Sequence, residues 1–279
     1  MVDLHVHTTM SDGQYSPCEV VRSAHSRGIS TLAITDHDTV SGVKEGMAAA
    51  QEAGIEFISG IEISAEYDRE VHVLGYCIDI NNSELLAACS LLEEQRFIRS
   101  QQILGYLNEK GVALSYSDVK KHVTHGRIGR PHFAHAMLEA GYVSDFRDAF
   151  NRYLATQEFD EIEYPRMVLA DGIDLIRKAG GVPVLAHPAL LKQKKEEFEK
   201  FLRELIDLGV KGIECHYSMH SLEQTELYLS LAKKYDLVVT GGSDFHGEDI
   251  VPDIELGTGI KNSLLFDGNN VIQRLEDKR

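Results

Sequence analysis

Short runs of apolar and β-branched residues alternate with longer amphipathic stretches in the first part of the chain. The period of the apolar positions predicts strands at 2–7, 31–35, 56–63 and 71–76. Between the first two runs, Ser16 followed by Pro17 is typical of a helix start, and a second helix is predicted from Ser41 to Gly54. Strands that alternate with helices favour βαβ units and a parallel sheet.

The strand pattern disappears after residue 81 and returns after residue 165. Amphipathic stretches such as 83–110 and 130–140 predict helices in the intervening part. Later strands are predicted at 182–187, 212–215 and 237–241, with helices at 167–179, 196–208 and 221–235. We therefore expect an α/β domain of about seven strands, formed by residues 1–81 and 166–279, and a helical insertion at 82–165.

Composition narrows the class of protein. The 279 residues are 43% hydrophobic and 26% charged, which is typical of a globular domain and not of a disordered chain. No apolar run approaches the roughly 20 residues of a membrane span and no leader pattern opens the chain, so we expect a cytoplasmic protein without a membrane partner. The net charge of −16 argues against binding of long nucleic acid, whereas bound metal ions would still attract a small anion.

Histidines and acidic residues recur at the ends of the predicted strands. In parallel α/β folds the carboxyl ends of the strands carry the functional groups, so these side chains are expected to meet at one mouth. The residues placed there are His5, His7, Asp36, His37, Glu62, His72, His187, Asp244 and His246. Together with Asp12 they would be costly to bury without partners or metals.

The spacing within this set points to metal binding. His5 and His7 are two apart on a strand and therefore share a face, and Asp244 and His246 repeat the spacing. Imidazole and carboxylate ligands without thiolates suit Mn, Fe or Zn. The four cysteines show no C-x-x-C spacing, so a thiolate site is not expected. Glu62 is the natural carboxylate to bridge two ions.

Five segments resemble the polymerase and histidinol phosphatase (PHP) family. They are Asp3-Leu4-His5-Val6-His7-Thr8 with Ser11-Asp12-Gly13, Thr35-Asp36-His37-Asp38, Gly60-Ile61-Glu62-Ile63-Ser64, Ala186-His187-Pro188 and Gly242-Ser243-Asp244-Phe245-His246-Gly247. The resemblance implies a distorted (β/α)7 barrel with up to three divalent ions at its mouth. It assigns one ion to His5, His7, Glu62 and Asp244, a second to Glu62, His72 and His187, and a third to Asp12, His37 and His246.

Within the family, the Ser-Asp-Gly motif and the helical insertion resemble the subgroup that acts on nucleoside monophosphates or short 5′-phosphorylated oligonucleotides. The insertion is then expected to cover the barrel mouth. Its segment Gly129-Arg130-Pro131-His132 resembles a phosphate-binding motif, so Arg130 and His132 are expected to contact the substrate phosphate. Asp36 is a further candidate catalytic residue. The reaction expected is attack of metal-activated water on a phosphomonoester.

Two features depart from the subgroup. The acidic segment 155–164 stands where a Gly- and Lys-containing loop is expected, which disfavours oligonucleotide binding. His216 replaces an expected aromatic residue, so His216 and His220 are candidate substrate contacts. Hydrolysis of histidinol phosphate or another small phosphorylated metabolite remains an alternative, as does a non-catalytic metal-binding PHP module. The filled set of ligand positions argues against the module.

Overall fold

The computed structural model describes residues 1–123, 128–162, 166–264, 266–268 and 270–279, and these divide into two compact units. Unit 1 comprises Met1–Cys89 and Met167–Arg279, and unit 2 comprises Ser90–Arg166. The strands are β1 (Val2–Asp3), β2 (Thr31–Ile34), β3 (Glu56–Glu66), β4 (Glu70–Tyr76), β5 (Met167–Val168), β6 (Val182–Leu185), β7 (Gly212–Tyr217), β8 (Val238–Gly242), β9 (Ile254–Glu255) and β10 (Gly259–Ile260). The helices of unit 1 are α1 (Pro17–Ser26), α2 (Val43–Ala53), α8 (Leu169–Lys178), α9 (Lys195–Leu208), α10 (Leu222–Lys234) and α11 (Val271–Glu276), while α3 (Ser83–Glu109) passes from unit 1 into unit 2.

The main sheet of unit 1 is nearly closed into a barrel. Its order is β1-β2-β3-β4-β6-β7-β8, with β5 paired to the end of β3. Beside β1, the Leu4 N–H donates to the Gly241 carbonyl at 3.1 Å, which brings the last strand next to the first. A side chain at Gly242 would overlap the backbone of His5, so this close approach requires glycine. The distorted (β/α)7 barrel expected from the sequence is confirmed.

The expectation of an all-parallel sheet is wrong at β4. This strand is antiparallel to both β3 and β6, because residues 67–69 reverse the chain directly after β3. His72 therefore lies near the amino end of its strand and not near the carboxyl end. Reversal of β4 brings that amino end to the edge where its parallel neighbours end, so His72 still reaches the mouth.

Side-chain alternation along the strands separates two apolar layers. Leu74, Tyr76 and Val184 are buried in a core inside the barrel. Residues at odd positions, such as Ile63 on β3 and Val73 on β4, pack in a second core with side chains of the surrounding helices. Glu62 and His72 therefore point inward with the first set, and this fixes which polar groups face the interior.

Local signals define the start of α1 and the end of α2 as the sequence predicts, whereas α2 begins at Val43 and not at Ser41. Ser16 caps α1 through the Glu19 N–H, and the Glu19 carboxylate accepts from the Ser16 N–H. Gly54 ends α2 in the left-handed region with φ 71°. These ends place the short loops that carry the polar motifs of β1 and β2.

Unit 2 is helical and has a core of its own. After α3 it contains α4 (Tyr116–Lys120), α5 (Arg130–Glu139), α6 (Phe146–Ala149), a π-helical turn (Phe150–Leu154) and α7 (Gln157–Asp160). Its largest fully buried side chains are Leu107, Phe133 and Met137, and Leu154 from the π-helical turn packs with them. Among the helices that the structure describes, none is both long and apolar enough to cross a membrane.

Candidate metal centre

Glu62 lies at the middle of a ring of histidines inside the barrel mouth. Its Oε1 is 2.9 Å from His72 Nδ1 and 2.9 Å from His187 Nε2. Its Oε2 is 3.0 Å from His37 Nδ1, 3.2 Å from His7 Nε2 and 3.3 Å from His5 Nε2. The side chain is fully buried, so one carboxylate of β3 faces five imidazoles from four different segments.

Asp244 forms a second meeting point beside Glu62. Its Oδ1 is 3.1 Å from His7 Nε2, 3.4 Å from His5 Nε2 and 3.6 Å from His246 Nδ1. Asp244 follows β8 and has φ 60°, a left-handed conformation that Asp tolerates better than most residues. The backbone strain at this position is typical of a functional site.

Asp12 is the most exposed of the carboxylates, with 28% of its side chain accessible. Its oxygens lie 3.4 Å from His246 Nε2, 3.7 Å from His7 Nδ1 and 3.9 Å from His37 Nε2. The structure thus brings together all nine residues that the resemblance assigns to metals. Their roles as ligands stay predictions.

Four overlapping groups in the described residues have ligand atoms close enough to hold an ion. They are His7, Asp12, His37 and His246; His5, His7 and Asp244; His5, Glu62 and His187; and His37, Glu62 and His72. These groups differ from the assignment by resemblance in several memberships: His72 and His187 fall in separate groups that share Glu62, and Glu62 is absent from the group of His5, His7 and Asp244. The sharing of Glu62 is the arrangement expected of a bridging carboxylate.

The nine residues at the barrel mouth, called the cluster below, include unsatisfied polar atoms that are suited to bind cations. Within the described part of the chain, His5 Nε2, His7 Nε2, Asp12 Oδ1, Glu62 Oε2 and Asp244 Oδ1 are buried and make no well-directed hydrogen bond. Buried polar atoms are rarely left in this state, because each one costs about 1–3 kcal/mol. Nitrogen and carboxylate oxygen atoms that converge on the same spaces are a donor set for divalent transition metals.

The electrostatics of the metal-free cluster follow from this packing. Burial alone would raise the pKa of Glu62, but His37 and the other imidazoles hold that pKa well below its usual range. Burial alone would lower the pKa of His7, yet its close contacts with the Asp244 and Glu62 carboxylates raise it to about 10. The pKa of His72 is likewise raised to about 10 against the effect of burial, mainly by the charge of Glu62. Divalent ions held by these residues would supply positive charge to balance the buried carboxylates.

Asp36 organises the loop that follows β1. Its carboxylate accepts the Thr8 N–H at 2.7 Å, the Thr8 hydroxyl at 2.7 Å and the Ser11 hydroxyl at 2.6 Å. These contacts hold the turn between His7 and Asp12. A direct catalytic role of Asp36 stays a prediction.

Two buried polar residues of β7 contact the cluster and are absent from the candidates found in the sequence. Glu214 lies 3.0 Å from His5 Nδ1, and Tyr217 donates its hydroxyl to Asp244 Oδ2 at 3.0 Å. An acidic residue within the short apolar run 212–215 is the signal that could have identified Glu214, since buried charges need partners.

The other predicted substrate contacts have different surroundings. In unit 2, Arg130 is exposed at the start of α5, 6.0 Å from the Phe159 ring, and His132 Nδ1 accepts the Gly129 N–H at 2.9 Å. In unit 1, the His216 ring stacks on the Phe266 ring. The His220 Nδ1–H donates to the Cys215 carbonyl at 3.0 Å. Contact of these residues with substrate stays a prediction.

Comparison with known proteins identifies the family. A model of the PHP domain matches residues 3–216, which include most of the cluster. The chain belongs to the PHP family. Asp244 and His246 lie beyond the matched range, and the barrel closure described above brings them to the PHP residues of β1.

Relatives cover nearly the whole PHP protein. It is 33% identical over 248 residues to the 5′-3′ exoribonuclease of Haemophilus influenzae, with 88% of this chain and 89% of the relative covered. It is 33% identical over 247 residues to the 3′,5′-nucleoside bisphosphate phosphatase of Chromobacterium violaceum, with 88% and 87% covered. A crystal structure from Bifidobacterium adolescentis, assigned as a metal-dependent phosphoesterase, matches with a TM-score of 0.84, 30% identity and coverage of 99% and 95%. The chain is therefore a PHP-family metal-dependent phosphoesterase.

Proposed function

We propose that this PHP protein hydrolyses a phosphomonoester carried by a nucleotide. The substrate would be a nucleoside 5′-monophosphate such as AMP, or a short 5′-phosphorylated oligonucleotide. The observation that carries this proposal is the convergence of six histidines and three carboxylates on one buried space. Divalent ions held there would neutralise phosphate oxygens and lower the pKa of a bound water toward about 7.

The four overlapping groups support two or three ions. Glu62 would be shared between ions on its two oxygens, and Asp12 with His37 and His246 would hold the ion nearest solvent. Imidazole and carboxylate donors suit Mn, Fe or Zn and do not choose among them.

The partly exposed side of the cluster would receive the phosphate. Among the ligand side chains, His37, His72 and His246 are 13%, 17% and 13% exposed, whereas His5 and His7 are fully buried. The fully buried side would keep the ions fixed and exclude water from behind them.

Arg130 and His132, which belong to the helical insertion, are suited to bind a substrate phosphate. Arg130 occupies the first turn of α5, whose N-terminal N–H groups favour anions. Its planar guanidinium can bind two phosphate oxygens at once. The acceptor contact of His132 Nδ1 with the Gly129 N–H places the proton on Nε2, so that atom is a donor. We propose that both residues contact the phosphate group of the substrate.

The acidic end of unit 2 favours a small substrate. Glu158, Asp160 and Glu161 are exposed on and after α7, and Glu158 forms an ion pair with Lys110. Glu163 and Tyr164 lie outside the described residues. Repulsion grows with the number of phosphates, so a mononucleotide or short oligonucleotide would bind better than long RNA. The two curated relatives are named for RNA and for a nucleoside bisphosphate, and nucleotide phosphate is their shared chemistry.

A substrate panel with added Mn²⁺ tests this proposal. It contains AMP, a nucleoside 3′,5′-bisphosphate, 5′-phosphorylated RNAs of increasing length and histidinol phosphate. The expected result is the highest kcat/KM on a mononucleotide or the shortest RNA, falling with length. Preference for histidinol phosphate would support the alternative hydrolase, and bound metal without turnover of any ester would indicate a non-catalytic module.

A further inference from the structure

Strand β7 is irregular where it passes the metal centre. Its pairing with β8 joins Glu214 to Thr240 and then His216 to Gly241, so Cys215 is an extra residue in the strand. Residues three apart in a regular strand face opposite sides, and one extra residue reverses the alternation. Glu214 and Tyr217 consequently both face the cluster. Ile213 and Cys215 instead pack in the second core between the sheet and the helices, called the outer core below.

Glu214 connects two metal-ligand positions on different strands. The side chain is fully buried, with Oε1 3.0 Å from His5 Nδ1 and Oε2 accepting the His187 N–H at 2.6 Å. His187 has φ 25°, a conformation that is rare for a residue with a side chain. The hydrogen bond from Glu214 thus holds a strained backbone at the point where the chain leaves β6.

The contact between Glu214 and His5 also determines which nitrogen of the His5 ring carries the proton. Because Glu214 offers only oxygen acceptors to Nδ1, the proton of a neutral His5 is placed on Nδ1 and the lone pair on Nε2. His5 Nε2 lies 3.3 Å from Glu62 Oε2 and 3.4 Å from Asp244 Oδ1. The lone pair therefore faces the cluster, as a metal ligand requires.

Tyr217 orients the carboxylate of Asp244 in a comparable way. Its hydroxyl donates to Asp244 Oδ2 at 3.0 Å, and its ring lies 5.5 Å from the ring of His187. Oδ1, the other oxygen of Asp244, is left toward His5 and His7. Asp244 Oδ2 is thus hydrogen-bonded to the buried Tyr217, while Oδ1 is oriented toward the position expected for the ion.

We propose that the bulged strand β7 sets the metal affinity of the centre although it supplies no ligand in the described groups. Glu214 positions His5 and His187, and Tyr217 positions Asp244. Both are positioning residues that act through the ligands they contact. This inference rests on the metal centre of the proposed function.

Glu214→Gln separates this role from simple packing, because only a carboxylate has two acceptor oxygens for the two donors. If the amide oxygen keeps the His187 N–H, the amide NH₂ meets His5 Nδ1 and drives the His5 proton to Nε2, which faces the metal. If the amide is reversed, the His187 N–H loses its acceptor. Tyr217→Phe removes only the hydroxyl, and Ile213→Val on the same strand is the packing control, since Ile213 is buried in the outer core.

The experiment is titration of the metal-free full chain with Zn²⁺ and Mn²⁺ in competition with a chromophoric chelator. Contacts of this kind typically change metal affinity about 10–100-fold, so Glu214→Gln should raise the dissociation constant by that factor and Tyr217→Phe by roughly tenfold. Ile213→Val should bind as the wild type does. In the zinc-loaded wild type, NMR should show a slowly exchanging His5 Nδ1 proton that Glu214→Gln removes or shifts.

The outcomes distinguish the two proposals. A wild-type protein that binds no divalent ion refutes the metal centre itself. If the wild type binds ions, unchanged affinity and an unchanged His5 signal in Glu214→Gln overturn the role of β7, and so does an equal loss in Ile213→Val. If Glu214→Gln does not fold, Tyr217→Phe decides, and wild-type affinity in that variant overturns the inference.

Discussion

Replacement of Glu62 by glutamine removes one charge at the centre of the cluster while the side-chain volume stays almost the same. The carboxylate belongs to two of the four candidate metal groups and lies within 3.3 Å of five imidazole nitrogens. Asp12 belongs to one group and is 28% exposed. Loss of Glu62 should therefore weaken two ions, whereas loss of Asp12 should weaken one.

The magnitude follows from this difference. A metal ion contributes several kcal/mol of transition-state stabilisation. For Glu62→Gln we expect kcat/KM to fall about a thousandfold or more, which corresponds to about 4 kcal/mol. For Asp12→Asn we expect a fall of about 10–100-fold, or about 1.4–2.7 kcal/mol. Glu62 also balances the imidazoles that surround it, so the metal-free variant should hold fewer protonated histidines.

The assay combines steady-state kinetics on the best phosphomonoester with elemental analysis after saturation and desalting. Glu56→Gln is the matched control, because Glu56 lies on the same strand at its exposed opposite end. Glu62→Gln should lose more bound metal than Asp12→Asn, and Glu56→Gln should lose none. Equal and mild losses of activity in the two cluster variants, or a full complement of ions in Glu62→Gln, would refute the bridging role.

Four other outcomes are expected. Chelation should abolish activity and Mn²⁺ should restore it with two or three ions per chain, so activity that persists below about one ion per chain contradicts the metal mechanism. In the metal-free protein the pKa of His7 and of His72 is raised from 6.5 to about 10, so their contribution to stability is present below pH 6.5 and is lost as the pH rises through about 10. Urea denaturation should show the free energy of unfolding falling across that window, and metal binding at pH 7 should release protons in calorimetry with two buffers. Neutralising Glu158 and Glu161 with glutamine should raise kcat/KM for longer 5′-phosphorylated RNA and leave AMP unchanged, and an equal change for both would argue against repulsion of the polyanion. Arg130→Ala should keep metal content and lower kcat/KM about a hundredfold, near 2.7 kcal/mol, with partial recovery in Arg130→Lys, and wild-type kinetics would show that the insertion does not bind the phosphate.

The placement of polar residues at strand ends could be predicted because two independent patterns agree there. Apolar period two identifies the strands, and the His-x-His and Asp-x-His spacings mark residues that share a face. The direction of β4 could not be predicted in this way, since alternation is the same for a parallel and an antiparallel strand. The short connection 67–69 between β3 and β4 does indicate that β4 is antiparallel, because a connection that short permits only a hairpin.

The role of Asp36 shows a second limit. Its position after β2 is the same kind of signal that identifies His37, but its carboxylate is engaged by Thr8 and Ser11, two residues of another loop. A sequence gives the residue type and its place along the strand, whereas the choice between ligand and loop support depends on which donors the fold brings near. Asp36 supports the chain between His7 and Asp12, both of which face the ions in the proposed assignment.

Glu214 and Tyr217 mark the point where the sequence pattern is most misleading. Their spacing of three places them on opposite faces of a regular strand, and no glycine or proline between them announces a bulge. The bulge arises where the outer core buries both Ile213 and Cys215 while the barrel interior takes up Glu214 and Tyr217. Because such a choice is made by packing on both faces of the strand, it is visible only once the neighbouring strands and helices are in place. The residues proposed to position the ligands are therefore harder to predict than the proposed ligands themselves, although metal affinity would depend on both.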